Sequence, residues 1–167
     1  MKPQEELLLR ESNFIEGVGE EGLEDSKQAY LYLMQVKEPL TEKHILKTHR
    51  LLMRNLNPEI AGKIRKVSVG IYSGGVCIKT CPKPEEISVL MKEVLYKINS
   101  SLTFNAIPLE KGKMALECHI DFEKMHPFED ENGRCGRIIM QWHRKQLGLP
   151  LLTIYNKDKE DYYAWFK

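Results

Sequence analysis

The chain has 167 residues, 42% hydrophobic and 29% charged, the balance of a soluble globular domain with a sizeable core of its own. A net charge of +1 offers no polybasic case for nucleic acid or an anionic membrane, and the longest apolar runs, such as Leu7 to Leu9, are too short to span a bilayer. Cys77, Cys81, Cys118 and Cys135 complete no zinc pattern, and with no signal peptide visible the expected location is the reducing cytoplasm.

In chain order, the first informative stretch is SNFIEG, where Ser12 and Glu16 lie four apart on one face of a helix that Gly17 stops. Ala29, Tyr30, Leu33 and Met34 mark a second helical stripe, ending before Pro39. Ile45, His49, Leu52, Met53 and Leu56 mark a third, with Thr41 as its N-cap. The period then changes. In KVSVGIYSGGVCIKT, Val67, Val69 and Ile71 alternate, Ser73-Gly74-Gly75 turns, and Val76 and Ile78 alternate again, which predicts a β-hairpin over Lys66 to Thr80. A lone hairpin is marginal in water, so it must lie on the helical body. Ile87, Leu90, Met91, Val94, Leu95 and Ile98 mark the next helix, with Pro84 in its first turn. Met114, Ala115, Cys118, Phe122 and Met125 mark another, running into His126. Ile138, Ile139 and Trp142 open a further one, which stops at Gly148 and Pro150, and the chain ends at Lys167 in what reads as another helix. No repeat or linker divides this pattern, so the expectation is a single, mainly α-helical domain with one hairpin.

The chemistry concentrates in HPFEDENGRCGR, His126 to Arg137. Pro127 disfavours helix at His126, and a new helix begins near Asn132 or Gly133. Helix starts carry free amides and partial positive charge, so they bind phosphate, and Gly133 lets backbone approach a ligand closely. Arg134 and Arg137, three apart, share a face and make a polyphosphate clamp. Alone, NGR-x-x-R reads more readily as a helix start with two surface arginines paired to nearby acids. His126, suited to proton transfer near neutrality, and Asp130, a hard oxygen ligand suited to Mg²⁺, shift the balance toward phosphoryl or nucleotidyl transfer. Phe128 is the apolar anchor expected to fix the loop between them.

This stretch resembles the core motif of the Fic family, H-P-F-x-[D/E]-[G/A]-N-[G/K]-R-x-x-R, at eleven of twelve positions. The resemblance extends over roughly Thr41 to Ile154, through LTEKHILKTHRLLM, PKPEEISVLM and GLPLLTI. It implies a mainly α-helical Fic fold with one β-hairpin flap over the active site. It also implies transfer of AMP from ATP to a Ser, Thr or Tyr hydroxyl of a target protein, with pyrophosphate released. Position by position, His126 resembles the general base, Asp130 the Mg²⁺ ligand, Asn132 and Gly133 the anion hole, Arg134 the β-phosphate contact and Arg137 the γ-phosphate contact. Val69, Ile71, Val76 and Ile78 fall in the target-docking flap. Gly133 favours adenylyl transfer, since the family's phosphate-transferring Doc toxins carry lysine there.

SNFIEG, by itself an ordinary terminal helix, resembles the family's inhibitory motif, [S/T]-x-x-x-E-[G/N]. The resemblance implies that Glu16 pairs with Arg137 and that Ser12 supports the contact, so residues 1–22 form an inhibitory helix and loop on a core of 23–167. Glu131 departs from the family pattern, standing where glycine or alanine is usual, and is expected to point to solvent. The alternatives are a phosphotransferase, an AMP-removing hydrolase, or a degenerate nucleotide-binding regulatory module. The target protein, homo-oligomerisation and any continuation past Lys167 stay open. His119 is expected to pack rather than bind metal, Cys135 to have a lowered pKa at the helix start, and Tyr162 and Tyr163 to pack rather than line an adenine pocket.

Overall fold

The computed structural model describes residues 1–37, 39–73 and 75–166, with only the backbone described at Tyr72, Ser73 and Ile78. Gly74 in the expected turn, and Lys167, lie outside the described residues. The helices are α1 (Pro3–Ile15), α2 (Leu23–Gln35), α3 (Glu42–Met53), α4 (Ile87–Ser101), α5 (Pro108–Met125), α6 (Asn132–Gln146) and α7 (Lys159–Ala164). An antiparallel pair, β1 (Gly70–Ser73) and β2 (Val76–Thr80), interrupts them. Among the described residues no helix is long and apolar enough to cross a membrane, and all four cysteines are free thiols.

The fold is organised around α6. Every residue of it from Asn132 to His143 is buried, so its polar side chains need partners inside the protein. Trp142 donates from Nε1 to Val36 O at 2.9 Å, Gln141 bonds both backbone groups of Leu152, and His143 meets Ser101 Oγ at 2.6 Å. The apolar remainder, Ile138, Ile139 and Trp142, packs with Leu33 of α2, Ile45 and Leu52 of α3, Met91 and Ile98 of α4, and Phe122 of α5. The expected stripes therefore meet in one core, except at Leu56, which lies past the end of α3 and is exposed. Their boundaries shift slightly: Pro84 opens a short 3₁₀ turn before α4, and α5 begins at Pro108, well ahead of Met114. Thr41 stands at the start of α3, where its N–H donates to His44 Nδ1 at 3.2 Å.

The hairpin is shorter than its alternation suggests. Pairing begins only at Gly70, opposite Thr80, and is broken by an irregularity between Ile71 and Tyr72. The physical reason lies upstream, in Arg65. Its buried guanidinium donates to the carbonyls of His126 (2.6 Å), Val67 (2.9 Å) and Pro82 (2.6 Å), and its backbone N–H to Pro127 O at 3.0 Å. That bonding replaces strand pairing at Val67, which is left exposed, and straps the hairpin base to the motif loop. Ile71 turns inward to a second apolar cluster with Ile15, Cys81, Tyr162 and Phe166, against which Val69 also packs. Val76 is 66% exposed at the hairpin tip, where Gly75 adopts φ +80°.

Candidate functional site

The end of α5 and the start of α6 build the site. His126 follows α5 in a left-handed conformation (φ 49°, ψ 65°), as a residue before proline that must leave the helix. Its Nδ1 lies 3.1 Å from Glu123 O, which fixes the proton there and leaves Nε2 free as an acceptor. Burial lowers the imidazole's pKa, so the ring is neutral near pH 7. Phe128 is fully buried and stacks on His49 with ring centroids 3.7 Å apart. His49 is itself fixed: Nδ1 accepts from Gly62 N–H at 2.9 Å and Nε2 donates to Asp130 O at 3.1 Å. Burial pushes its pKa down to about 4. Phe128→Ala is expected to destabilise the fold by about 3–5 kcal/mol, read by denaturant titration, because it empties the place of a fully buried aromatic ring.

The Asn132 side chain is turned toward the motif loop. Its side chain accepts from Phe128 N–H and donates to Phe128 O, both at 2.9 Å, so it closes the loop. What remains for an anion is backbone amide at the first turn of α6. Asp130 Oδ1 accepts from Glu131 N–H at 2.8 Å, and its carboxylate borders a cleft of about 270 Å³ that is also lined by Glu16, Glu123, His126, Gly133 and Tyr163. Gly70 and Ile71 of the hairpin border the same cleft.

The two arginines do not project freely over the turn. Arg137 donates from Nε to Ser12 Oγ (2.8 Å), from Nη2 to Ser12 O (3.1 Å) and Glu16 Oε1 (2.6 Å), and from Nη1 to Tyr162 OH (3.1 Å). Local structure explains why Glu16 arrives there. Gly17 (φ +74°) closes α1 with Gly17 N–H to Phe14 O and Val18 N–H to Asn13 O, a Schellman ending with Glu16 as the C-cap. The last turn of α1 has no basic residue, and Arg137 supplies that cation from across the core. Glu16 also presses on α6: a Cβ on Gly133 would stand 2.0 Å from Glu16 Oε1, so only glycine permits this approach. The helix start that suits a phosphate thus faces an internal carboxylate.

Arg134 is likewise engaged. It donates to Gly22 O at 3.1 Å and Ser26 Oγ at 2.8 Å, and Ser26 passes the bonding on to Asn13 Oδ1 at 2.7 Å. Its third partner is Glu131 Oε1, 3.0 Å from Nη1. Glu131 therefore does not point to solvent: it is 7% exposed, with left-handed backbone (φ 58°), because a buried guanidinium one turn later draws the carboxylate inward. Burial raises its pKa to about 7 against the pull of Arg134. Cys135 also departs from expectation. Complete burial beside Glu123 and Glu131 pushes its thiol well up rather than down, outweighing the helix start.

Four contributors escape sequence reasoning: Arg65, His49, Tyr162 and Glu123. Tyr162 is more than packing, since its hydroxyl joins Arg137 to His119 Nε2 at 3.0 Å. His119 is buried in that network. Glu123 lies under His126, with burial raising its pKa to about 8. Gly136 makes its room, since a Cβ there would stand 2.1 Å from Glu123 Oε1. The folded state keeps a proton on Glu123 that the unfolded chain loses near pH 4.5, so its contribution to stability falls as pH rises from there to about 8. Glu123→Gln is expected to raise the melting temperature more at pH 9 than at pH 5, and equal shifts at both would contradict the buried acid.

Comparison with known proteins identifies the family and the fold. Residues 39–143 match the model of the Fic/DOC family. The chain is 30% identical over 135 residues to protein adenylyltransferase Fic of Aedes aegypti, covering 81% of this chain and 26% of that protein. It is 30% identical over 120 residues to protein adenylyltransferase fic-1 of Caenorhabditis elegans, covering 72% and 22%. Among solved structures, Fic-1 of C. elegans superposes with a TM-score of 0.79 at 23% identity, over 98% of this chain and 55% of that one. A Fic domain containing signalling protein from Bacteroides thetaiotaomicron gives 0.81 at 20% identity, over 98% and 74%. The chain belongs to the Fic/DOC family, with the mainly helical fold and small hairpin of its solved members. It spans about a quarter of the length of the curated relatives it matches.

Proposed function

We propose that this chain is a protein adenylyltransferase domain, transferring AMP from ATP to a hydroxyl of a target protein, and that Glu16 holds it off. The activity is supported by the names of the relatives and by His126, whose free Nε2 borders the cleft with its ring neutral. The single observation that carries the inhibition is the 2.6 Å contact of Glu16 Oε1 with Arg137, beside Gly133 at the helix start. Residues 1–22 act as the inhibitory segment on a core of 23–167.

In the reaction the target hydroxyl loses its proton to His126 Nε2 and its oxygen attacks the α-phosphorus. The bond from that phosphorus to the bridging oxygen breaks, and pyrophosphate leaves. The α6 amides and Arg134 and Arg137 receive the phosphates. Asp130, whose carboxylate borders the cleft, would hold a Mg²⁺, an ion that commonly takes one or two protein carboxylates and keeps several waters. When bound, it would neutralise charge on the phosphates. The hairpin, with Ile71 anchored inward, offers the target backbone rather than side chains. Incubating Glu16→Gly with α-labelled and γ-labelled ATP tests the chemistry. Label from the α position alone is expected; label from γ alone would make the protein a phosphotransferase, and label from neither would leave a binding module.

A further inference from the structure

Glu131 is the one motif position at which this chain departs from its family's pattern, and the structure gives that departure a place. Its Oε1 accepts from Arg134 Nη1 at 3.0 Å, and both side chains are almost wholly buried. Oε2 is buried with no hydrogen-bond partner. The backbone carrying this carboxylate is left-handed, a conformation that glycine adopts freely and glutamate does not. A scaffold role alone accounts poorly for these features. Arg134 already reaches Gly22 O and Ser26 Oγ, which tie α6 to the segment before and within α2. A counter-ion with one orphaned oxygen on a strained backbone is one that a better anion can replace.

We infer that Glu131 is a specificity-determining residue, an internal carboxylate that stands in for a nucleotide's β-phosphate on Arg134. The inference rests on the adenylyltransferase reading, in which Arg134 receives that phosphate. Nucleotide entry then displaces two internal carboxylates, Glu16 from Arg137 and Glu131 from Arg134. The two act on different parts of the ligand. Glu16 opposes the terminal phosphate of ATP, whereas Glu131 opposes any nucleotide that carries a β-phosphate. Asp130, next to Glu131 in the chain, borders the cleft beside Gly133 and adds to the negative potential that the incoming phosphates meet.

ADP and AMP separate this role from others, because they differ by the β-phosphate and neither carries the terminal one. Calorimetric titration of both nucleotides into wild type, Glu131→Gln and Glu131→Gly is the test. Gln keeps the shape without the charge, and Gly also relieves the left-handed backbone, so at least one folded variant is secured. Both are expected to bind ADP about tenfold tighter than wild type while AMP affinity stays the same. ADP affinity unchanged or weakened, in variants whose melting curves show a folded protein, would overturn the inference and make the pair a scaffold. Equal gains for ADP and AMP would also overturn it, since the effect would not be on the β-phosphate. If neither nucleotide nor ATP binds to any of the proteins, the adenylyltransferase reading falls first and the inference with it.

Discussion

Replacing His126 by alanine in the Glu16→Gly background is expected to lower AMP transfer by about 10²–10⁴-fold, the usual worth of a positioned base. ATP affinity should stay within about threefold, because the proposed phosphate partners belong to α6 and not to the imidazole. Quantifying α-label incorporation beside a calorimetric ATP titration checks both halves. The residue is poised for this role by its surroundings. The Nδ1 contact with Glu123 O sets the tautomer, Arg65 holds the His126 carbonyl, and the Phe128–His49 stack fixes the loop that follows. Burial lowers the imidazole's pKa below 6.5, so the active, unprotonated form persists into mildly acidic solution. The transfer rate should therefore hold from pH 8 to below 6.5 and fall only as His126 gains a proton. The same sign applies to stability, which this group reduces as pH drops below its unfolded value.

Glu16→Gly is expected to produce the second large effect, a rise of about 10²-fold in the initial rate of target or self labelling at matched ATP. The magnitude follows from the bond removed. A hydrogen bond to a charged group is worth about 1.5–3 kcal/mol, and here it must be broken before a phosphate can use Arg137. Glu16 is a quarter exposed while Arg137 is buried, which places the pair between a surface bridge and a core one. The variant should melt a few degrees lower, since Arg137 keeps only Ser12 and Tyr162 as partners. Activation accompanied by lost stability is the signature of an inhibitory contact; lost stability without activation would mark a structural one.

Much of this was legible in the residues. Helical stripes such as Ile87 to Ile98 and Ala115 to Met125 lie on the core side because apolar spacing of three and four leaves no other face to bury. HPFEDENGRCGR announces its loop and helix start because Pro127 and Gly133 act on the backbone locally. Ser12 and Glu16 were readable as a pair because a helix sets their spacing. Glu131 was not, since its direction depends on Arg134 being buried, and that depends on α2 covering the first turn of α6. Arg65, His49 and Tyr162 bond groups far along the chain, and no local period records such pairings; Glu123 is near His126 in sequence, but its burial depends on α6 packing over it at Gly136. Val67 shows the converse: its alternation promised a strand, but Arg65 had already bonded the carbonyl there.

The central claim is that Glu16 and the terminal phosphate of ATP compete for Arg137. Titrating ATP and ADP into wild type and Glu16→Gly tests it most directly, because the two nucleotides differ by that phosphate alone. The account predicts nearly equal affinities for ATP and ADP in wild type, and an ATP affinity about tenfold above that for ADP once Glu16 is gone. The same ATP-to-ADP ratio in both proteins would contradict it.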